Sequence, residues 1–210
     1  MAEKKLTAMQ KLAMDIGRGC LLTTIPYYRA KKIYTGGEET KAAIKSLERG
    51  IIAANHTGFS DPILLNSCFW YRRFFYVASE EVMAGFRGKL LTAAGCIKID
   101  RRGADIKAIN RCAFILKEGN LLGMFPEGTI GGGAAKGGIL LIAAMSDAPI
   151  VPTYIRRRTN IAGRHIVVFD DPFKVSDFCD SKLPCKKDID LLLGILDDRI
   201  EKCKELAESI

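Results

Sequence analysis

The sequence predicts an α/β fold: a single domain with a mostly parallel, mixed sheet flanked by helices, preceded by an amphipathic N-terminal helix. Two observations carry this. Short apolar runs take turns with helical patterns between residues 50 and 169, the pattern of strands and helices that alternate around one sheet. The chain has 210 residues, 48% apolar and 27% charged, which suits one globular domain with a full core and is too apolar for disorder.

The elements follow in order. Within an N-terminal segment of residues 1–30, Leu6, Met9, Leu12, Ala13, Ile16 and Cys20 recur at steps of three and four, with Lys4, Lys5, Lys11 and Arg18 between them. Such a basic amphipathic helix, over residues 4–22, either packs on its own domain or lies on a membrane face, and periodicity alone favours the first. Strands are expected near residues 50–54, 74–78, 96–100, 121–125, 150–155 and 165–169. Helices are expected over residues 62–71, 87–94, 104–117 and 139–146. In the last segment, residues 186–208, Ile189, Leu192, Leu193, Leu196, Ile200, Cys203 and Leu206 share one face, so a final helix covers the core.

Composition narrows the function classes. No stretch is long and apolar enough to span a bilayer as a helix, and Asp15 and Arg18 interrupt any signal-peptide core. A cytoplasmic protein is expected, free or peripheral on the cytoplasmic membrane face. Lys and Arg exceed Asp and Glu by 32 to 24, a net +8 that points to phosphates, anionic lipid or nucleic acid as partners. Nucleic acid drops out because no recognisable module or aromatic stacking platform accompanies the basic residues. The seven cysteines contain no C-x-x-C pair, Cys179 and Cys185 lack the companions a zinc site needs, and no metal is expected.

The chemistry gathers at NHTGFSDP, residues 55–62, which follows the apolar run of residues 50–54. In a parallel sheet, function collects where strands run out into loops at their carboxyl ends. Pro62 suits the first position of a helix, so residues 56–61 form a strand-to-helix loop. Read alone, Asp61 is a plain helix N-cap and His56 a buried, hydrogen-bonded imidazole. A polar Asn-His pair at the end of a buried strand and the turn-permitting Thr57-Gly58 favour a different arrangement, in which Asp61 folds back to the ring. A carboxylate on one ring nitrogen fixes the tautomer and leaves the other as a base. His165, in an alternating strand pattern, reads as an ordinary strand residue.

His56 and Asp61 with four residues between them resemble the His-x4-Asp block of the glycerolipid acyltransferases, the group that contains the 1-acylglycerol-3-phosphate (lysophosphatidic acid) acyltransferases. Three further blocks follow in the family's order: Gly95 to Arg101 (GCIKIDR), Phe125 to Thr129 (FPEGT) with Lys136-Gly137 beyond it, and Ala148 to Pro152 (APIVP). Together they span a motif-bearing core over residues 50–156.

The resemblance implies transfer of a fatty acyl group from acyl-CoA or acyl carrier protein to the free hydroxyl of 1-acylglycerol-3-phosphate, giving phosphatidic acid. His56 would be the base and Asp61 its orienter. The thioester is a substrate, so no cofactor is implied, and direct attack by the hydroxyl requires no cysteine nucleophile. The family binds the acceptor's phosphate with its second and third blocks, which assigns substrate binding to Arg101, Glu127, Gly128 and Thr129. An arginine directly after Glu-Gly-Thr is usual in the family; this chain has Ile130, and Lys136 stands as its replacement. A lipid acceptor also favours docking of the N-terminal helix on the membrane, with Arg72, Arg73, Lys89, Lys98, Arg101, Arg102 and Arg156 to Arg158 as an anionic-lipid and acyl-donor face. Two other readings stay open: an acyltransferase for another lysolipid or an amino-acid lipid, and a catalytically inactive lipid-binding module.

Overall fold

The computed structural model describes residues 5–24, 30–100, 105–126, 136–158, 163–179, 181 and 183–210, with backbone alone for residues 18, 20–24 and 136. Seven strands form one sheet: β1 (Ala30–Tyr34), β2 (Gly50–Ala54), β3 (Phe74–Ser79), β4 (Cys96–Ile99), β5 (Leu121–Met124), β6 (Ile150–Arg156) and β7 (His165–Phe169). Their spatial order is β1-β7-β6-β2-β5-β3-β4, and every pairing is parallel except β6 with β7. The helices are α1 (Ala8–Thr24), α2 (Glu38–Ser46), α3 (Asp61–Cys68), α4 (Gly85–Ala93), α5 (Ile106–Lys117), α6 (Lys136–Ser146) and α7 (Lys186–Glu208). The fold is the expected single α/β domain, and α3, α4, α5 and α6 each connect two of the parallel strands.

Alternation along each strand sorts the core into two layers. Ile51, Ala53, Phe75, Leu122 and Ile150 face α5, α6 and α7, whereas Ile52, Ala54, Phe74, Tyr76 and Val151 face α3 and Ile44 of α2. Both faces of β2 are therefore buried, which is why its sequence is apolar throughout instead of alternating. β2 lies in the middle of the sheet between β5 and β6, with its carboxyl end delivering His56.

Three elements depart from expectation. β1 carries Lys31 and Lys32 exposed at a sheet edge, and α2 buries only Thr40 and Ile44. Edge strands use lysine to discourage further pairing, and that same polarity hides them from an apolar-run search. α1 departs in orientation. Among the described side chains of α1, Met14, outside the expected stripe, is the one buried, while Met9, Leu12 and Ile16 of the stripe are 79%, 59% and 58% exposed. Arg73 pairs with Asp15 at 2.8 Å, and Met14 lies over Gly95, where φ is +95° and a Cβ would stand 2.7 Å from the Met14 methyl. Those contacts rotate the stripe outward. Leu6 packs against the core, and the side chain of Cys20 lies outside the described residues. α7 covers the sheet as expected, burying Leu192, Leu196, Cys203 and Ala207.

Candidate active site

The site begins with a clamp between two strands. The main-chain ladder of β2 with β6 ends at Ala54 and Thr153, and the side chain of Asn55 continues it: the Ile155 N–H donates to Oδ1 at 2.7 Å, and Nδ2 donates to the Ile155 carbonyl at 3.1 Å. His56 comes next. Its Nδ1 lies 2.9 Å from Asp61 Oδ2, so the loop does fold the carboxylate back to the ring. The Phe125 ring, at the end of β5, stacks on the imidazole with centroids 4.3 Å apart and planes 18° from parallel. The ring is thus held at one edge by a carboxylate and on one face by an aromatic.

Asp61 is fully buried and is not a cap. α3 begins at Asp61 rather than Pro62, Ser60 occupies the cap position, and the carboxylate points backward into the loop instead of forward to the helix amides. Oδ2 accepts the Thr57 and Gly58 N–H groups at 2.7 and 2.8 Å, in addition to facing His56. Oδ1 accepts from Thr57 Oγ1 at 3.1 Å and from Arg157 Nη2 at 2.7 Å. Burial pushes this carboxyl up, but the hydrogen bonds from His56, Arg157 and the Gly58 and Thr57 amides together outweigh it and hold the group at about 2. Asp61 is an anion at every pH near neutrality.

His165 is buried in β7, as its strand pattern suggests, and burial together with Arg158 and Arg157 lowers its pKa below the ordinary 6.5. Burial keeps the thiols next to the core protonated, raising Cys68 to about 12 and Cys96 to about 11. Among the described residues, no cluster of His, Cys, Asp and Glu could hold a metal.

Of the residues singled out in the sequence, the structure brings His56 and Asp61 together. Arg101, Glu127, Gly128 and Thr129 lie outside the described residues, and Lys136 opens α6 with its side chain undescribed. The proposed basic face divides. Arg73 is paired to Asp15, Lys98 to Glu80, and Arg72 donates to the Leu47 and Gly119 carbonyls. Arg72 and Arg73 precede β3 and stand at the opposite end of the sheet from His56. Arg157, whose side chain is 37% exposed, bonds to Asp61 and Thr57 of the catalytic loop. A sequence search gives no signal for the contact with Asp61, because the pair is 96 residues apart and joined only by the β2–β6 pairing. Phe125 was visible only as part of FPEGT.

The sequence profile of the Acyltransferase family matches residues 33–156, more than half the chain and including both halves of the His-Asp pair. The chain belongs to the acyltransferase family. This acyltransferase is 26% identical over 168 residues to the 1-acyl-sn-glycerol-3-phosphate acyltransferase of Bacillus subtilis (strain 168), covering 76% of the chain and 83% of the relative. It is 37% identical over 84 residues to the lyso-ornithine lipid O-acyltransferase of Rhodobacter capsulatus, a match over 38% of the chain and 29% of the relative. In fold it resembles the crystal structure of the 1-acyl-sn-glycerophosphate (LPA) acyltransferase PlsC from Thermotoga maritima, with a TM-score of 0.65 at 16% identity, covering 94% of the chain and 81% of that structure. For an acyltransferase, a carboxylate-held imidazole at the mouth of a central strand is the arrangement that can take a proton from an attacking hydroxyl.

Proposed function

We propose that the enzyme transfers a fatty acyl group from acyl-CoA or acyl carrier protein to the free hydroxyl of 1-acylglycerol-3-phosphate, giving phosphatidic acid. The observation that carries the reading is the 2.9 Å contact of His56 Nδ1 with buried Asp61. With Nδ1–H donated to the carboxylate, Nε2 is the nitrogen left to accept the hydroxyl's proton. The alkoxide oxygen attacks the thioester carbonyl, the tetrahedral intermediate collapses, and the thiolate leaves with the proton that His56 returns. No acyl-enzyme forms, consistent with thiols that burial keeps protonated. Arg101, Glu127, Gly128, Thr129 and Lys136 are proposed to bind the acceptor phosphate, Arg101 through paired N–H donors.

The acceptor is a lipid, and the outward stripe Met9, Leu12 and Ile16, with Phe86 and Leu90 of α4 also exposed at 74% and 57%, supports peripheral docking on the cytoplasmic membrane face. A second acceptor reading, an amino-acid lysolipid, is favoured by Ile130 in place of the usual arginine and by the similarity to the lyso-ornithine lipid enzyme. The test is thiol release by the purified protein with acyl-CoA and with acyl carrier protein, against lysophosphatidic acid, lyso-ornithine lipid and other lysolipids. Phosphatidic acid formed from lysophosphatidic acid is expected. Turnover of lyso-ornithine lipid alone selects the second reading, and no turnover of any lysolipid defeats both.

A further inference from the structure

Arg157 belongs to none of the blocks that identify the family, yet it makes the closest charged contact to the carboxylate behind His56. Its guanidinium spans the loop: Nη2 donates to Asp61 Oδ1 at 2.7 Å and Nε to Thr57 Oγ1 at 2.8 Å. It lies so close to the Gly58 backbone that a Cβ there would stand 2.7 Å from Nη2. Asp61 is fully buried and the Arg157 side chain 37% exposed, so the guanidinium lies between the carboxylate and solvent. Its position is set from β2 as well, because Asn55 grips Ile155 two residues earlier.

We propose that Arg157 is a positioning residue for the base: it locks the rotamer of Asp61 so that Oδ2 alone faces His56, and it contributes nothing to substrate binding. This rests on the reading of His56 as the base. A buried carboxylate needs a counter-charge, and a neutral imidazole supplies none. With Oδ1 tied to Arg157 and Thr57, rotation of the carboxylate away from the ring breaks two bonds at once. Without Arg157, Asp61 keeps its amide donors but loses the fixed tilt that points the imidazole.

Arg157→Ala is therefore expected to lower kcat by about 100-fold, the order of loss for a base misplaced by an ångström, with KM for donor and acceptor both nearly unchanged. Added guanidinium ion should restore much of the loss by occupying the vacated place, a rescue that a purely structural role does not show. The groups facing Asp61 are His56, Arg157 and, from β7, His165 with Arg158 beside it. Removing one cation from this set takes away one of the hydrogen bonds that hold the Asp61 carboxyl low, so the acid loss of stability should be complete at higher pH in the variant than in wild type. Should Arg157→Ala not fold, Gly58→Ala carries the test, since its methyl displaces the guanidinium and should give the same kcat-only loss. A rise in acceptor KM at unchanged kcat overturns the proposal in favour of substrate binding, and wild-type kinetics in the variant that folds overturns it outright. His56→Ala, measured alongside, separates the two readings: if it stays active, the base assignment fails; if it is inactive while Arg157→Ala turns over normally, only the role of Arg157 fails.

Discussion

The Asn55 side chain pairs with the main chain of Ile155 as a backbone would, accepting its N–H at 2.7 Å and donating to its carbonyl at 3.1 Å. One side chain thereby joins the strand that carries His56 to the strand that carries Arg157. Asn55→Leu removes both bonds in a buried place and leaves two main-chain groups without partners. Each such group costs about 1 to 3 kcal/mol. Urea unfolding should show a lower midpoint at an unchanged slope, and kcat should fall because Arg157 and His56 lose their common anchor.

Asp61→Asn separates the cap reading from the geometry. Asparagine caps a helix nearly as well as aspartate, so a capping role predicts unchanged stability. The structure predicts otherwise. Asp61 receives N–H groups from Thr57, Gly58 and Arg157 and faces Nδ1 of His56, and an amide group must turn a donor toward at least one of them. The expected loss is about 1 to 3 kcal/mol in chemical denaturation, with turnover reduced strongly. His56→Ala should lower kcat by about 10²- to 10⁴-fold while its circular dichroism and melting stay close to wild type.

The same carboxyl makes stability depend on acid. Its value falls from an ordinary 3.8 to about 2 in the fold, so between those limits the unfolded chain binds the extra proton and stability rises with pH. The contribution is complete above about pH 4 and is lost as pH falls toward about 2. Unfolding free energy measured from pH 5 down to 2 should fall more steeply in wild type than in Asp61→Asn. Equal slopes would mean that the network around Asp61 does not persist in solution.

The central strands, the crossover helices and the His56–Asp61 pair were legible because each leaves a local mark. β2 is apolar at every position, α5 buries Ala108, Ile109, Cys112, Ile115 and Leu116 at helical spacing, and His56 stands five residues before Asp61. β1 and α2 were not legible, since an edge strand with two lysines and a helix with two buried residues look like loop. Nor was Arg157, whose contact with Asp61 exists only once β6 pairs beside β2. The facing of α1 escaped for a related reason: hydrophobic periodicity locates an apolar stripe without saying whether the domain or something else covers it. Met14 and Asp15, fixed by Gly95 and Arg73 from distant segments, decide that question.

The outward stripe predicts how the protein meets lipid. Met9, Leu12 and Ile16 are exposed together while Met14 anchors the helix. Changing the three to serine should abolish sedimentation with anionic vesicles and leave the melting temperature unmoved, because none of them fills the core. Lys5 is already paired with Glu118 at 3.7 Å, so apolar contact should dominate, and added salt should weaken binding less than the triple change does. If the variant still sediments with vesicles, another surface carries the docking.

Ile130 bears on the choice of acceptor. The family usually has an arginine directly after Glu-Gly-Thr, and this chain has Ile130 followed by three glycines. If Arg101 holds the phosphate without a second arginine, Arg101→Ala should raise KM for lysophosphatidic acid far more than for the donor, the signature of lost ground-state binding. Ile130→Arg should then lower that KM, since a well-placed hydrogen bond to a charged group contributes roughly 1.5 to 3 kcal/mol. Lys136→Ala distinguishes a filled gap from an empty one: if Lys136 already reaches the phosphate, its removal weakens the wild type and Ile130→Arg rescues it. Lysophosphatidic acid kinetics indifferent to all three changes, together with turnover of an acceptor that lacks a terminal phosphate, would exclude the phosphate-binding assignment and leave the His56–Asp61 chemistry standing with a different head group.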